Sequence, residues 1–122
     1  MSTVNLTHAT FDQTIAENEI VLIDFWAAWC GPCRSFAPAF EKASQAHPDI
    51  VFAKVDTEAE RALAAQADIH SIPTLMAFRD QVLLYARPGA LPAAALEQLI
   101  AAVREVDMDD VRSKLQAKAQ AS

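Results

Sequence analysis

Glycine is scarce in this chain: Gly31 and Gly89 are the only two among 122 residues. Each therefore marks a place where the backbone needs to be unhindered. Cysteine is equally scarce, with Cys30 and Cys33 alone. That excludes a small fold stapled by several disulfides. The 52% hydrophobic content is enough to build one core without them. Basic residues are outnumbered ten to sixteen by acidic ones, giving a net charge of -6. This argues against a nucleic-acid backbone or an anionic membrane as the main partner. The N-terminus, MSTVNLTHATFDQTI, lacks a basic start followed by a long apolar run, so no secretory signal is expected. No apolar stretch is long enough to span a bilayer. The expectation is a cytoplasmic, monomeric protein, in whose reducing surroundings a lone cysteine pair is not a structural staple.

What is present has an alternating order. Val4–Leu6 reads as a short strand, and Thr7 as the cap of a helix reaching Glu17. The apolar run Ile20–Trp26 (IVLIDFW) reads as a strand buried on both faces. A helix follows from Gly31 to Ala46, with Phe36 and Phe40 facing inward and Pro38 favouring a kink. Ile50–Asp56 is a second buried strand, and Thr57–Ala67 a helix capped by Thr57. Thr74–Arg79 and Val82–Arg87 form a hairpin around Asp80-Gln81, where turn geometry favours glycine. A last core helix spans Pro92 to Val106. The fold class is α/β, with a central mixed sheet flanked by helices on both faces. The main domain is expected over residues 1–107. Residues 108–122 form a helical extension of that domain, with a break near Asp107, a helix over Asp109–Lys118 and a fraying end.

The chemistry centres on WAAWCGPCRSF, residues 26–36. Structural zinc needs four ligands, and this chain offers one Cys-x-x-Cys pair with His8, His47 and His70 scattered, so no metal site is expected. No glycine-rich phosphate loop is present either, and no bound cofactor is expected. Redox chemistry fits better. The pair follows a buried strand and opens a helix, whose free N–H groups and dipole favour a thiolate at Cys30. Pro32 is tolerated in a first turn. Cys30 is expected to be the exposed nucleophile and Cys33 the buried resolving thiol. Asp24 is a carboxylate within a buried run, where its pKa should rise and where it can take a proton from Cys33. Lys54 reads equally as a lysine snorkelling at a strand end.

These segments resemble the thioredoxin family. The resemblance runs through VLIDFWAAWCGPCRSFAP, VFAKVDTE, IHSIPTLMAF and the turn at Pro88-Gly89-Ala90, over residues 4 to 106. It implies the thioredoxin fold and a protein-disulfide reductase working by dithiol–disulfide exchange through Cys30 and Cys33 to maintain cell redox homeostasis. It implies that Asp24 serves as the proton acceptor, with Lys54 modulating its charge. It also implies a cis Pro73 facing the disulfide, which leaves the Ile72 backbone free to pair with an extended substrate. Trp29, Gly31, Pro32, Ile72, Gly89 and Ala90 are then expected to form a flat apolar rim around Cys30. Trp26 is expected to support the site from the core, to which Phe36, Phe40 and Phe78 belong. The implied partners are oxidised substrate proteins and an NADPH-dependent thioredoxin reductase. Two departures from the family pattern are the glycine-free hairpin turn and Arg34 in place of lysine. His70 and Ser71, just before Ile72, are candidates for setting partner choice. Two rivals stand beside this reading. One is an exported oxidant or isomerase, for which no export signal is seen. The other is a thioredoxin-fold interaction subunit whose redox chemistry is incidental.

Overall fold

The computed structural model describes residues 2–121. In chain order its elements are β1 (Thr3–Asn5), α1 (Phe11–Glu17), β2 (Ile20–Trp26), α2 (Gly31–Ala46), β3 (Val51–Asp56), α3 (Arg61–Gln66), β4 (Thr74–Arg79), β5 (Val82–Pro88), α4 (Ala93–Glu105) and α5 (Met108–Ala121). The five strands form one sheet in the order β1-β3-β2-β4-β5. β1, β3 and β2 run parallel, and β4 and β5 add an antiparallel hairpin. The mixed sheet thus follows from the alternating order of the sequence.

β2 lies at the centre, and its side chains alternate between two cores. Ile20 and Leu22 pack with Phe36, Phe40 and Ala43 of α2 and with Leu96, Ile100 and Val103 of α4. Val21, Ile23 and Phe25 pack on the opposite face with Ile15 of α1 and Leu63 of α3. Asp24 shares its parity with Ile20 and Leu22, so it faces α2. Phe78, expected in the core, is half-buried and packs at the margin of the α1/α3 side. α2 runs through Pro38 without a break in its assignment.

Two helix starts differ from the sequence reading, each for a local reason. The Thr7 amide donates to Thr10 Oγ1, and the Thr7 carbonyl accepts from the amides of Thr10 and Phe11. Residues 7–10 therefore close as a turn, and Thr10 rather than Thr7 occupies the N-cap of α1. After β3, Asp56 Oδ1 accepts from the amides of Glu58 and Ala59 at 2.9 and 3.3 Å. This side-chain turn competes with helix. Thr57 is drawn back to the end of β2, its amide and hydroxyl both donating to the Trp26 carbonyl. α3 consequently begins at Arg61 and is only six residues long.

The hairpin turn holds Asp80 and Gln81 at φ +51° and +69°. Two positive φ values match the right-handed twist of the strands, which is why glycine is usual there. At the end of β4, Arg79 Nη1 donates to the carbonyls of Val103, Arg104 and Val106 at 2.8–3.0 Å. It satisfies carbonyls that the C-terminus of α4 leaves without helical donors. Asp107 Oδ1 accepts from the Asp110 amide and caps α5. Met108 is buried, and Arg112 reaches Asp80 of the hairpin at 2.8 Å. α5 is thus tied to the sheet at its start, while Leu115 further along is 48% exposed.

Candidate active site

β2 ends at Trp26, and the chain turns through Ala27 to Trp29 before α2 begins. The Cys30 amide donates to the Ala27 carbonyl at 3.2 Å and closes that turn. Arg34 Nη1 donates to the Ala28 carbonyl at 2.8 Å and holds it from the helix side. Cys30 is the N-cap of α2, with extended φ and ψ of -88° and 113°. Gly31 and Pro32 fill the first turn. Cys33 stands three residues in, and its amide donates to Cys30 Sγ at 3.2 Å. The sulfur of Cys30 thus takes the place of the oxygen in an ordinary Ser or Asp cap. Cys30 and Cys33 are joined in a disulfide, with their Cα atoms 5.2 Å apart.

The two cysteines of the disulfide do not show the expected contrast in exposure. Cys30 is 4% exposed and Cys33 3%. Bonded sulfurs cover each other, and the loop at Ile72 covers Cys30 from the side. What distinguishes the two is position: only Cys30 sits at the cap and receives the helix amide. In the dithiol, a negative charge on Cys30 gains from that amide and from the helix dipole.

The cis bond expected before Pro73 is present between Ile72 and Pro73. The Ile72 carbonyl oxygen lies 3.7 Å from Cys30 Sγ. The Gly89 amide donates to the Pro73 carbonyl at 2.8 Å, which joins the end of β5 to this loop. Gly89 holds φ +112°, a conformation that favours glycine. Gly31, Pro32, Gly89 and Ala90 are all exposed around the disulfide, and Ile72 is half-exposed. The rim is less flat than expected. An open groove of about 410 Å³ lies beside it, lined by Trp29, Thr57, Ala64, Ile69, His70 and Ile72 among others.

Trp29 is 67% exposed yet oriented. Its Nε1–H donates to Glu58 Oε1 at 2.9 Å, and Arg61 grips the other Glu58 oxygen at 3.0 Å. Those two hydrogen bonds hold the Glu58 carboxyl below its ordinary range. Glu58 and Arg61 escaped the sequence reading, because nothing local links a loop at 58 to a tryptophan at 29.

Asp24 is fully buried, and neither carboxylate oxygen has a hydrogen-bond partner among the described residues. Burial pushes its pKa up from 3.8 to about 6, and the nearby Lys54 charge partly opposes the rise. Lys54 is its cross-strand partner in the β2–β3 register. The Lys54 ammonium lies over the Trp26 ring, 4.8 Å from its centroid. Cys33, Phe36 and Phe40 follow one another at helical spacing on the inner side of α2, the side that meets the Asp24 face of the sheet. Among the described residues no group of three His, Cys, Asp or Glu is placed to hold a metal ion.

The thioredoxin family model matches residues 2–102, most of the chain. The chain belongs to the thioredoxin family. It is 60% identical over 111 residues to the putative thioredoxin 2 of Streptomyces coelicolor, covering 91% of this chain and 83% of that one. It is 45% identical to thioredoxin 1 of Synechococcus elongatus, over 75% of this chain and 87% of the relative. Among solved structures, a mutant thioredoxin from Halobacterium salinarum matches with a TM-score of 0.77 at 31% identity, covering 85% of this chain and 91% of that one. With its Cys-x-x-Cys pair in the redox position, this thioredoxin is a thiol–disulfide oxidoreductase and reduces protein disulfides. α5 lies outside the matched segment.

Proposed function

We propose that the protein is a general, monomeric disulfide reductase of the cytoplasm, recharged from NADPH by a flavoprotein thioredoxin reductase. The Cys30 thiolate attacks one sulfur of a substrate disulfide. A Cys30–substrate disulfide forms, and the other substrate sulfur leaves as a thiolate. Cys33 gives its proton to Asp24 and attacks the Cys30 sulfur. The second substrate sulfur leaves as a thiolate and is protonated, the Cys30–Cys33 disulfide closes, and the substrate carries away two electrons. The reductase then returns two electrons and two protons to the pair.

The observation that carries this reading is the Cys33 amide directed at Cys30 Sγ. It favours negative charge on one sulfur of the pair and not on the other. The raised pKa of Asp24, about 6, suits a group that accepts and returns a proton near neutral pH. Lys54 is the residue that limits that rise. Trp29, Gly31, Pro32, Ile72, Pro73, Gly89 and Ala90 act as the docking rim, with the Ile72 backbone pairing with an extended substrate segment. The test is a coupled assay with NADPH, a bacterial thioredoxin reductase and an oxidised protein substrate. NADPH oxidation is expected to depend on the concentration of this chain and to stop when the chain is omitted. Fast reduction of substrate by a chemical dithiol, with no NADPH oxidation, would remove the reductase from the scheme.

A further inference from the structure

Part of the hairpin surface on the α3 side of the sheet is open to solvent. On that side, Leu83 is 46% exposed, and Ala86 and Pro88 are exposed beside the buried Met76. Contiguous exposed apolar patches mark interaction or ligand-binding sites. Here the patch forms a groove of about 450 Å³. One wall carries Thr74, Met76, Leu83, Ala86, Arg87 and Pro88, and the other is the 67–71 loop. Ile69, His70 and Ser71 line this groove as well as the groove beside Trp29, so they form a ridge between the two. The ridge leads directly into Ile72, whose carbonyl lies 3.7 Å from Cys30 Sγ. The Gly89 amide bound to the Pro73 carbonyl ties the end of β5 to the same loop. The second groove therefore continues from the disulfide and is not a separate patch.

We propose that this groove is a substrate subsite. The extended segment flanking the attacked cysteine crosses the Ile69–Ser71 ridge and seats one large apolar side chain against Met76 and Leu83. Preferred substrates are disulfides with an aromatic or aliphatic residue near the attacked cysteine, and the selection acts on binding. This assignment rests on the reductase reading.

The probes are disulfide-linked peptides in which one Phe is stepped through positions one to four on either side of the cysteine, against a Ser-only parent. A small aromatic disulfide that reaches only Cys30 serves as control. The wild type is expected to prefer one Phe position by about fivefold in kcat/KM, mainly through KM. Leu83→Ser and, separately, Ala86→Glu abolish the preference and leave reduction of the small disulfide unchanged. In a mixed disulfide trapped with Cys33→Ser, the NMR methyl signals of Met76 and Leu83 shift. Equal rates for all peptides, a preference that survives both variants, or shifts confined to Trp29 and Ile72 would overturn the subsite. A chain inert towards the small disulfide as well would overturn the reductase reading and the subsite together.

Discussion

Cys33→Ser protein mixed with an oxidised substrate accumulates a covalent adduct through Cys30, whereas Cys30→Ser protein forms none. Both variants lose at least about 10³-fold in turnover, since each removes one of two obligatory covalent steps. The difference between them follows from the N-cap. A thiolate at Cys30 meets the Cys33 amide at 3.2 Å and the first turn of α2. A thiolate at Cys33 lies one turn further in and meets no such donor among the described residues, so it is the poorer first nucleophile. Mass spectrometry under non-reducing conditions reads the outcome directly. An adduct on Cys33 in the Cys30→Ser variant, formed as readily as the one on Cys30, would reverse the assignment.

The second large effect is on stability. Folded Asp24 keeps its proton up to about pH 6, while the unfolded carboxyl releases it near its ordinary value of 3.8. Between those values the folded state holds more protons than the unfolded one, so stability falls as pH rises. The contribution is complete below about pH 4 and lost above about pH 6. The pKa difference corresponds to about 3 kcal/mol, a large share of the 5–15 kcal/mol typical of a domain. Urea unfolding of the wild type between pH 4 and 7 is expected to show this fall, and Asp24→Asn to lack it. Equal pH slopes in the two proteins would mean that Asp24 is not the group that titrates. The same carboxylate is costly to the fold and useful to the reaction. The apolar packing of Leu22, Phe36, Phe40 and Phe52 around that face offsets it, each side chain contributing about 2 kcal/mol or more.

Most of the frame was legible because its signals are strong and local. IVLIDFW is apolar except for Asp24, and the strand it makes is buried along nearly its whole length. GPCRSFAPAFEKASQA carries a proline in its first turn and apolar residues at helical spacing, and α2 spans those residues. Where the reading went astray, a side chain had captured the backbone. Asp56 and Thr57 shortened α3, and the Thr7–Thr10 pair delayed α1. Propensity offers no warning of such hydrogen bonds, because Thr and Asp favour caps and turns alike. The Trp29–Glu58–Arg61 clamp, the Arg79 bonds to the end of α4 and the groove under Leu83 join residues distant in sequence, and no period reveals them. The cis bond at Pro73 came from resemblance to the thioredoxin family, since the residues alone favour trans.

The most direct test of the central claim is the reduction of insulin disulfides by the purified protein, with a limiting dithiol as electron source and the dithiol alone as reference. A marked acceleration that scales with protein concentration and disappears in Cys30→Ser is expected. A rate no faster than that of the dithiol alone would contradict it, since a pair poised at a helix cap as described here would then not be exchanging disulfides with protein.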